Sequence, residues 1–129
     1  MKVTFLGTGT STGIPTIGVE RESCLSSDKR DNRLRSSILI EYKSKSILID
    51  CGPDFRQQML RINKTKIDAI FFTHEHADHT AGLDDIRPIS FHHGKIPIYA
   101  HKRVVDNLKN RFDYLFCLLY TSPSPRDNR

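Results

Sequence analysis

Residues 67–79 read Ile-Asp-Ala-Ile-Phe-Phe-Thr-His-Glu-His-Ala-Asp-His. The first seven, 67–73, are apolar and rich in β-formers, which predicts a strand. Its C-terminal end delivers the pattern H-x-H-x-D-H at His74, His76, Asp78 and His79. In extended backbone alternate residues point the same way, so His74 and His76 can offer two imidazoles to one metal ion. A helix is expected to start inside the cluster. From its first turn Asp78 and His79 can present one oxygen and one nitrogen to a second ion. Two ions about 3.5–4 Å apart can hold a hydroxide between them, which makes hydrolysis the natural use of such a junction. A solvated histidine cluster or a simple helix cap is the competing reading, and the order of ligand types argues against it.

Working outward, the helix entered at the cluster is expected to run to about Ile86 and stop before Pro88, because the residue before a proline is pushed away from helical angles. Residues 96–100 predict a strand, with Pro97 pointing to an edge position. Residues from 102 to about 110 predict a helix that buries Val104, Val105 and Leu108. His92, His93 and His101 lie outside the cluster. Read as extended chain, His92 and His93 face opposite ways and cannot easily serve one ion, so loop polarity is their expected role.

Upstream, residues 3–6 form a short apolar run closed by a loop holding Gly7, Gly9 and Gly13. That spacing is one residue off the dinucleotide fingerprint, and no Gly-Lys-Ser/Thr follows to grip a phosphate. Residues 37–43 and 47–50 read as a β-hairpin. Gly52-Pro53-Asp54 then opens a helix, with Asp54 favoured by the helix dipole and Phe55, Met59 and Ile62 on one face, ending near Asn63.

The chain has 129 residues, of which 37% are hydrophobic and 27% charged, enough for one small globular domain. No apolar window is long enough for a membrane span, and the N-terminus lacks a secretory layout, so a cytoplasmic protein without membrane partners is expected. Lys and Arg total 20 against 15 Asp and Glu, a net charge of +5 without a run of like charges. Nucleic-acid binding is permitted but not favoured by that balance. Cys24, Cys51 and Cys117 contain no Cys-x-x-Cys pair. Reduced thiols are expected rather than a disulfide framework or a four-cysteine zinc site.

With its H-x-H-x-D-H after a hydrophobic strand, the sequence resembles the metallo-β-lactamase superfamily. The stretches FLGTGTSTGIP, RDNRLRSSILIEY and ILIDCGPDFRQQML further resemble the branch of phosphoribosyl cyclic phosphate phosphodiesterases, with the tRNA 3′-end-processing ribonucleases as close cousins. The resemblance covers residues 1–116. It implies an α/β fold, the N-terminal half of a truncated αββα sandwich. It also implies two divalent metal ions, zinc first and manganese as the alternative. His74 and His76 would bind one ion, Asp78 and His79 the other, with Asp78 the catalytic residue and Asp50 orienting a ligating imidazole from behind. The implied activity is hydrolysis of a small cyclic phosphodiester by hydroxide held at the two metals, in a protein that forms a homodimer at full length. The alternatives are a tRNA-processing endoribonuclease or, for this chain alone, a non-catalytic fragment with an uncovered apolar face. The family's later His, bridging Asp and final His have no counterparts in this sequence. Relatives also carry a Cys-x-Cys-x-x-Cys zinc motif where Val19, Arg21 and Cys24 stand here, so no structural zinc is expected. Residues 117–127, CLLYTSPSPRD, resemble the translation of a sequencing-library adapter, and residues 117–129 are accordingly expected to be foreign to the fold and disordered.

Overall fold

The computed structural model describes residues 1–119, with side-chain surroundings through Phe116. Five strands form one sheet: β1 (Lys2–Gly7), β2 (Ser37–Tyr42), β3 (Lys45–Ile49), β4 (Ala69–Phe71) and β5 (Ile98–Tyr99), lying in that order. The pairs β1–β2 and β2–β3 are antiparallel, and β3–β4 and β4–β5 are parallel. The hairpin between β2 and β3 turns on Lys43 and Ser44, both at positive φ (46° and 66°). Two-residue turns of that hand match the twist of the flanking strands. Parallel neighbours need a crossover. Helix α2 (Phe55–Arg61) supplies the first, and α3 (Ala77–Thr80), a 3-10 turn (Leu83–Ile86) and α4 (Arg87–His93) supply the second. Before these, a short α1 (Glu22–Leu25) and a 3-10 turn (Lys29–Asp31) lie in the long β1–β2 connection. Helices α5 (Lys102–Arg111) and α6 (Asp113–Leu119) follow β5.

Strand alternation gives the sheet two unlike faces. Leu39, Leu48 and Ile70 lie side by side across β2, β3 and β4, essentially without solvent contact. They belong to one core with Phe55 and Met59 of α2, Leu83 and Ile86 of the 3-10 turn, Val104 and Leu108 of α5, and Leu115 of α6. On the other face one row runs Phe5, Ile38, Ile49, Phe71, Tyr99, and a second runs Val3, Ile40, Ile47, Ala69. Phe5 is 68% exposed and Tyr99 is 53% exposed, so this apolar face is open at both ends of its first row.

Several expectations need correction. The helix from the histidine cluster does not run unbroken to Ile86. It stops at Thr80, gives way to the 3-10 turn, and restarts as α4 with Pro88 in its first turn. A proline at that position lacks only an N–H that would have no partner anyway, so it opens a helix as readily as it ends one. His92 and His93 consequently sit in the last turn of α4, not in extended chain. β4 spans only Ala69–Phe71 of the expected 67–73. Asp54 precedes α2 without capping it through its side chain; the carboxylate accepts from the Arg35 backbone N–H at 2.8 Å and from Arg35 Nη1 at 3.1 Å. Val105 is only half-buried on α5. As expected, β5 with Pro97 beside it lies at the edge of the described sheet. The expected foreign tail lies outside the described residues from Tyr120 onward, and the α6 backbone runs to Leu119.

The uncovered face generates a testable outcome. An apolar surface of this kind predicts self-association and dye binding. The chain is expected to enhance anilinonaphthalene sulfonate fluorescence and to sediment as a mixture of species, and Phe5→Lys is expected to reduce both while leaving the melting temperature within about 2 °C, because the removed ring is already solvated. Dye binding unchanged in Phe5→Lys would contradict this assignment of the face.

Candidate metal centre

The cluster sits where β3 and β4 end side by side, with α3 folded back over them. The Asp50 N–H extends the β3–β4 ladder by bonding to Phe71 O at 2.9 Å. The chain then turns, with Asp50 at φ 62°, a left-handed conformation uncommon for a non-glycine residue. The turn is matched by three hydrogen bonds to a carboxylate only 4% exposed. Oδ1 accepts from the Thr73 N–H at 2.8 Å, and Oδ2 accepts from Thr73 Oγ1 at 2.7 Å and from His79 Nδ1 at 2.8 Å.

Two further strands of backbone fix α3 against this corner. Cys51 donates its N–H to His79 O at 2.8 Å, and Gly82 donates to Cys51 O at 3.0 Å. The approach is so close that a Cβ on Gly52 would run into Asp78 O, and one on Gly82 would run into Gly52 O. Only glycine fits at either place. Thr80, fully buried, shares its single hydroxyl proton between His76 O at 2.9 Å and Glu75 O at 3.2 Å.

These contacts assign protons to the imidazoles. An ionised Asp50 only accepts, so His79 carries its proton on Nδ1 and presents Nε2 on the other side of the ring. The single hydroxyl proton of Thr73 goes to Asp50, so Thr73 Oγ1 accepts from His74 Nδ1 at 2.9 Å and His74 likewise presents Nε2. His79 Nε2 lies 3.0 Å from Asp78 Oδ2. An imidazole nitrogen and a carboxylate oxygen set this close are donor types that bind a divalent ion, so the donor set fits one.

The sequence-derived residues are brought together. One donor atom from each of His74, His76 and Asp78 lies within 4.8 Å of the others, and the same holds for Asp50, His74 and His79. The His74 ring centroid is 4.6 Å from that of His76 and 4.2 Å from that of His79, which puts His74 at the centre of the cluster. Asp50 already uses three of its roughly four acceptor directions on Thr73 and His79. That leaves about one acceptor direction of the carboxylate free.

Nearby groups stay out. Burial, followed by the charges of Asp85 and Asp50, pushes the Cys51 thiol up, so it remains a protonated, inert group in the core. His101 Nδ1 accepts the Arg103 N–H at 3.2 Å at the start of α5. Cys24 Sγ receives the Thr16 N–H at 3.5 Å. Thr73 and Thr80 are the members of the site that sequence reasoning missed. A threonine closing a β-rich run reads as one more strand former, and nothing local reveals where its hydroxyl goes.

Residues 45–124 match the family model described as the beta-lactamase superfamily domain. Among solved structures, the chain is 50% identical to a diphosphatase from the PhnP family, with a TM-score of 0.85, covering 88% of this chain and 46% of that one. Among curated proteins, it is 46% identical over 117 residues to a Porphyromonas gingivalis protein named octanoyltransferase, covering 90% of this chain and 24% of that one. It is 34% identical over 101 residues to the ribonuclease Z of Methanococcus maripaludis, covering 76% of this chain and 28% of that one. The chain thus spans under half the length of each of these three relatives.

The proton assignment makes Thr73 a sensitive position. Removing an outer hydrogen-bond partner of a metal-binding imidazole typically costs about 10–100-fold in affinity. Thr73→Val is expected to weaken zinc binding about tenfold, and Asp50→Asn, which places an NH2 against the donors that Asp50 now serves, about a hundredfold. Isothermal titration with zinc checks both; equal affinity in Thr73→Val would remove the proposed link to His74.

Proposed function

This chain belongs to the beta-lactamase superfamily domain family, and from that premise we propose that its sequence supplies the metal-binding half of a phosphodiester hydrolase. The observation that carries the reading is the convergence of four donors, His74, His76, Asp78 and His79, on a corner organised by one buried carboxylate. The likeness to the PhnP-family diphosphatase at 50% identity supports a small phosphorylated compound as the substrate, and we place a small phosphate ester within that class. We assign His74 and His76 to one ion and Asp78 and His79 to the other, with zinc the first choice and manganese the alternative. The setting proposed is cytoplasmic and the full-length assembly a homodimer. No helix among the described residues is long and apolar enough to cross a membrane.

When bound, divalent ions supply positive charge for a phosphoryl oxygen and bring the ionisation of water near neutral pH. The chain's own contribution is positioning. Asp50 holds His79 directly and His74 through Thr73, so both imidazoles keep their Nδ1 protons and offer Nε2 without rotation of the ring. His76, at the N-cap of α3, adds a third nitrogen. Asp78 is the proposed catalytic residue: its carboxylate would help hold an ion and would accept a proton from the attacking water. The remaining ligands and the walls of the substrate pocket would come from the portion of the relatives that this chain does not span.

A second reading, a ribonuclease acting on tRNA, is supported by the ribonuclease Z relatives at 32–34% identity. Salt separates the two. Contacts to a long phosphate backbone release counterions and make binding fall steeply with salt, whereas a small diester has too few charges for that slope.

Full-length protein containing this sequence is expected to hydrolyse bis(p-nitrophenyl) phosphate in the presence of zinc or manganese, with rates that change little between 50 and 200 mM salt. His76→Ala is expected to lower turnover at least about a hundredfold through loss of metal. Turnover unchanged in His76→Ala would refute the ligand assignment. Selective cleavage of tRNA precursors with a steep salt dependence would favour the ribonuclease reading.

A further inference from the structure

Glu75 stands between two proposed ligands, in the irregular segment that joins β4 to α3. It meets α5. Arg103 approaches side-on, with Nε 3.3 Å from Glu75 Oε1 and Nη2 3.3 Å from Oε2. Eight residues along the same helix, Arg111 donates through Nη1 to Glu75 O at 2.8 Å and to Asn107 Oδ1 at 3.1 Å. Arg103, Asn107 and Arg111 follow one another at four-residue spacing, so they form a polar stripe on α5, while Val104 and Leu108 lie buried in the core. From the opposite side Thr80 donates to Glu75 O.

We propose that Glu75 is a positioning residue through which α5, by Arg103 and Arg111, holds His74 and His76 in ligating geometry. This deepens the metal-site reading above and rests on it. Asp50 and Thr73 hydrogen-bond to His79 and His74 from behind, but neither bonds to the His76 side chain, which meets that network only through its edge-on contact with the His74 ring. The grip on Glu75 closes the gap, because holding its side chain and its carbonyl limits rotation at the residue that joins the two peptide units between the histidines. Stability alone gives a poor reason for the arrangement. The Arg103 side chain is 69% exposed, and solvent-exposed ion pairs add little to folding. A loop whose geometry sets ligand spacing gains far more from the same contacts, since small misplacements of donors are felt directly in metal affinity.

The test uses the full chain with Co2+ as the probe, read by its visible absorption, together with 15N spectra of the imidazoles in metal-free protein and thermal melts. Glu75→Ala, Arg103→Ala and Arg111→Ala are each expected to weaken Co2+ binding about 3–10-fold, the low end of what outer partners of metal sites contribute. Melting temperatures should stay within about 2 °C, as for other exposed ion pairs. In metal-free wild type the His74 and His76 rings should each give one sharp tautomer pattern, which broadens in Glu75→Ala. The exchange of partners in Glu75→Arg with Arg103→Glu should recover most of the affinity lost by either change alone. Should Glu75→Ala fail to fold, Glu75→Gln, which keeps an acceptor but loses the charge, is expected to show the same weakening at smaller size.

Wild-type Co2+ affinity in all three alanine variants, or a loss that only tracks melting temperature, would overturn the proposal. If the wild type takes up no Co2+ at all, the metal-site reading fails, and the imidazole spectra alone then decide the brace: unaltered His74 and His76 patterns in Glu75→Ala would overturn it.

Discussion

A single buried carboxylate organises this corner of the molecule. Asp50 lies at the end of β3 in a left-handed conformation and receives three hydrogen bonds, two from Thr73 and one from His79. A carboxylate out of contact with water requires such partners, since an unpaired buried charge is strongly destabilising. Satisfying it forces the loop after β4 and the first turn of α3 to the same place. The glycines at 52 and 82 allow the backbones to approach closely enough for that to happen. The placement of His74 and His79 is thus a consequence of how the chain satisfies one acid.

The second constraint is the sheet. Its helix-covered face carries the core, and the ladder on that side holds β3 and β4 in register so that Asp50 and Thr73 emerge together. The opposite face presents two apolar rows, with Phe71 and Tyr99 rings 4.9 Å apart at one end. In an αββα arrangement such a face meets a second sheet, and the proposed site lies at the edge where the two would join. Fold completion and site completion are therefore the same event in the reading advanced above.

Much of this was legible in the sequence, for reasons that differ by residue. His74, His76, Asp78 and His79 are close in sequence, and their spacing carries chemical meaning by itself. Asp50 could be singled out only by resemblance, because its partners, Thr73 and His79, lie 23 and 29 residues away. Thr73 and Thr80 gave no signal, since hydroxyl roles depend on tertiary neighbours. The same holds for Glu75, whose partners on α5 are 28 and 36 residues downstream. The hairpin, α2 and α5 follow from periodicity. In the segment after the cluster Pro88 reads locally as a helix stop, whereas the helix breaks earlier, at Thr80, and the proline suits the first turn of α4. Asp54 stands at the N-cap of α2, where the dipole favours an acid, but its partner Arg35 lies 19 residues earlier and gives no local signal.

The most direct test of this account is anomalous diffraction at the zinc edge from crystals grown with zinc. The account predicts strong peaks at bonding distance, about 2.0–2.2 Å, from donor atoms of His74, His76, Asp78 and His79, with Asp50 still hydrogen-bonded to His79 behind them. Clear zinc peaks elsewhere on the surface, with none at this cluster, would contradict it.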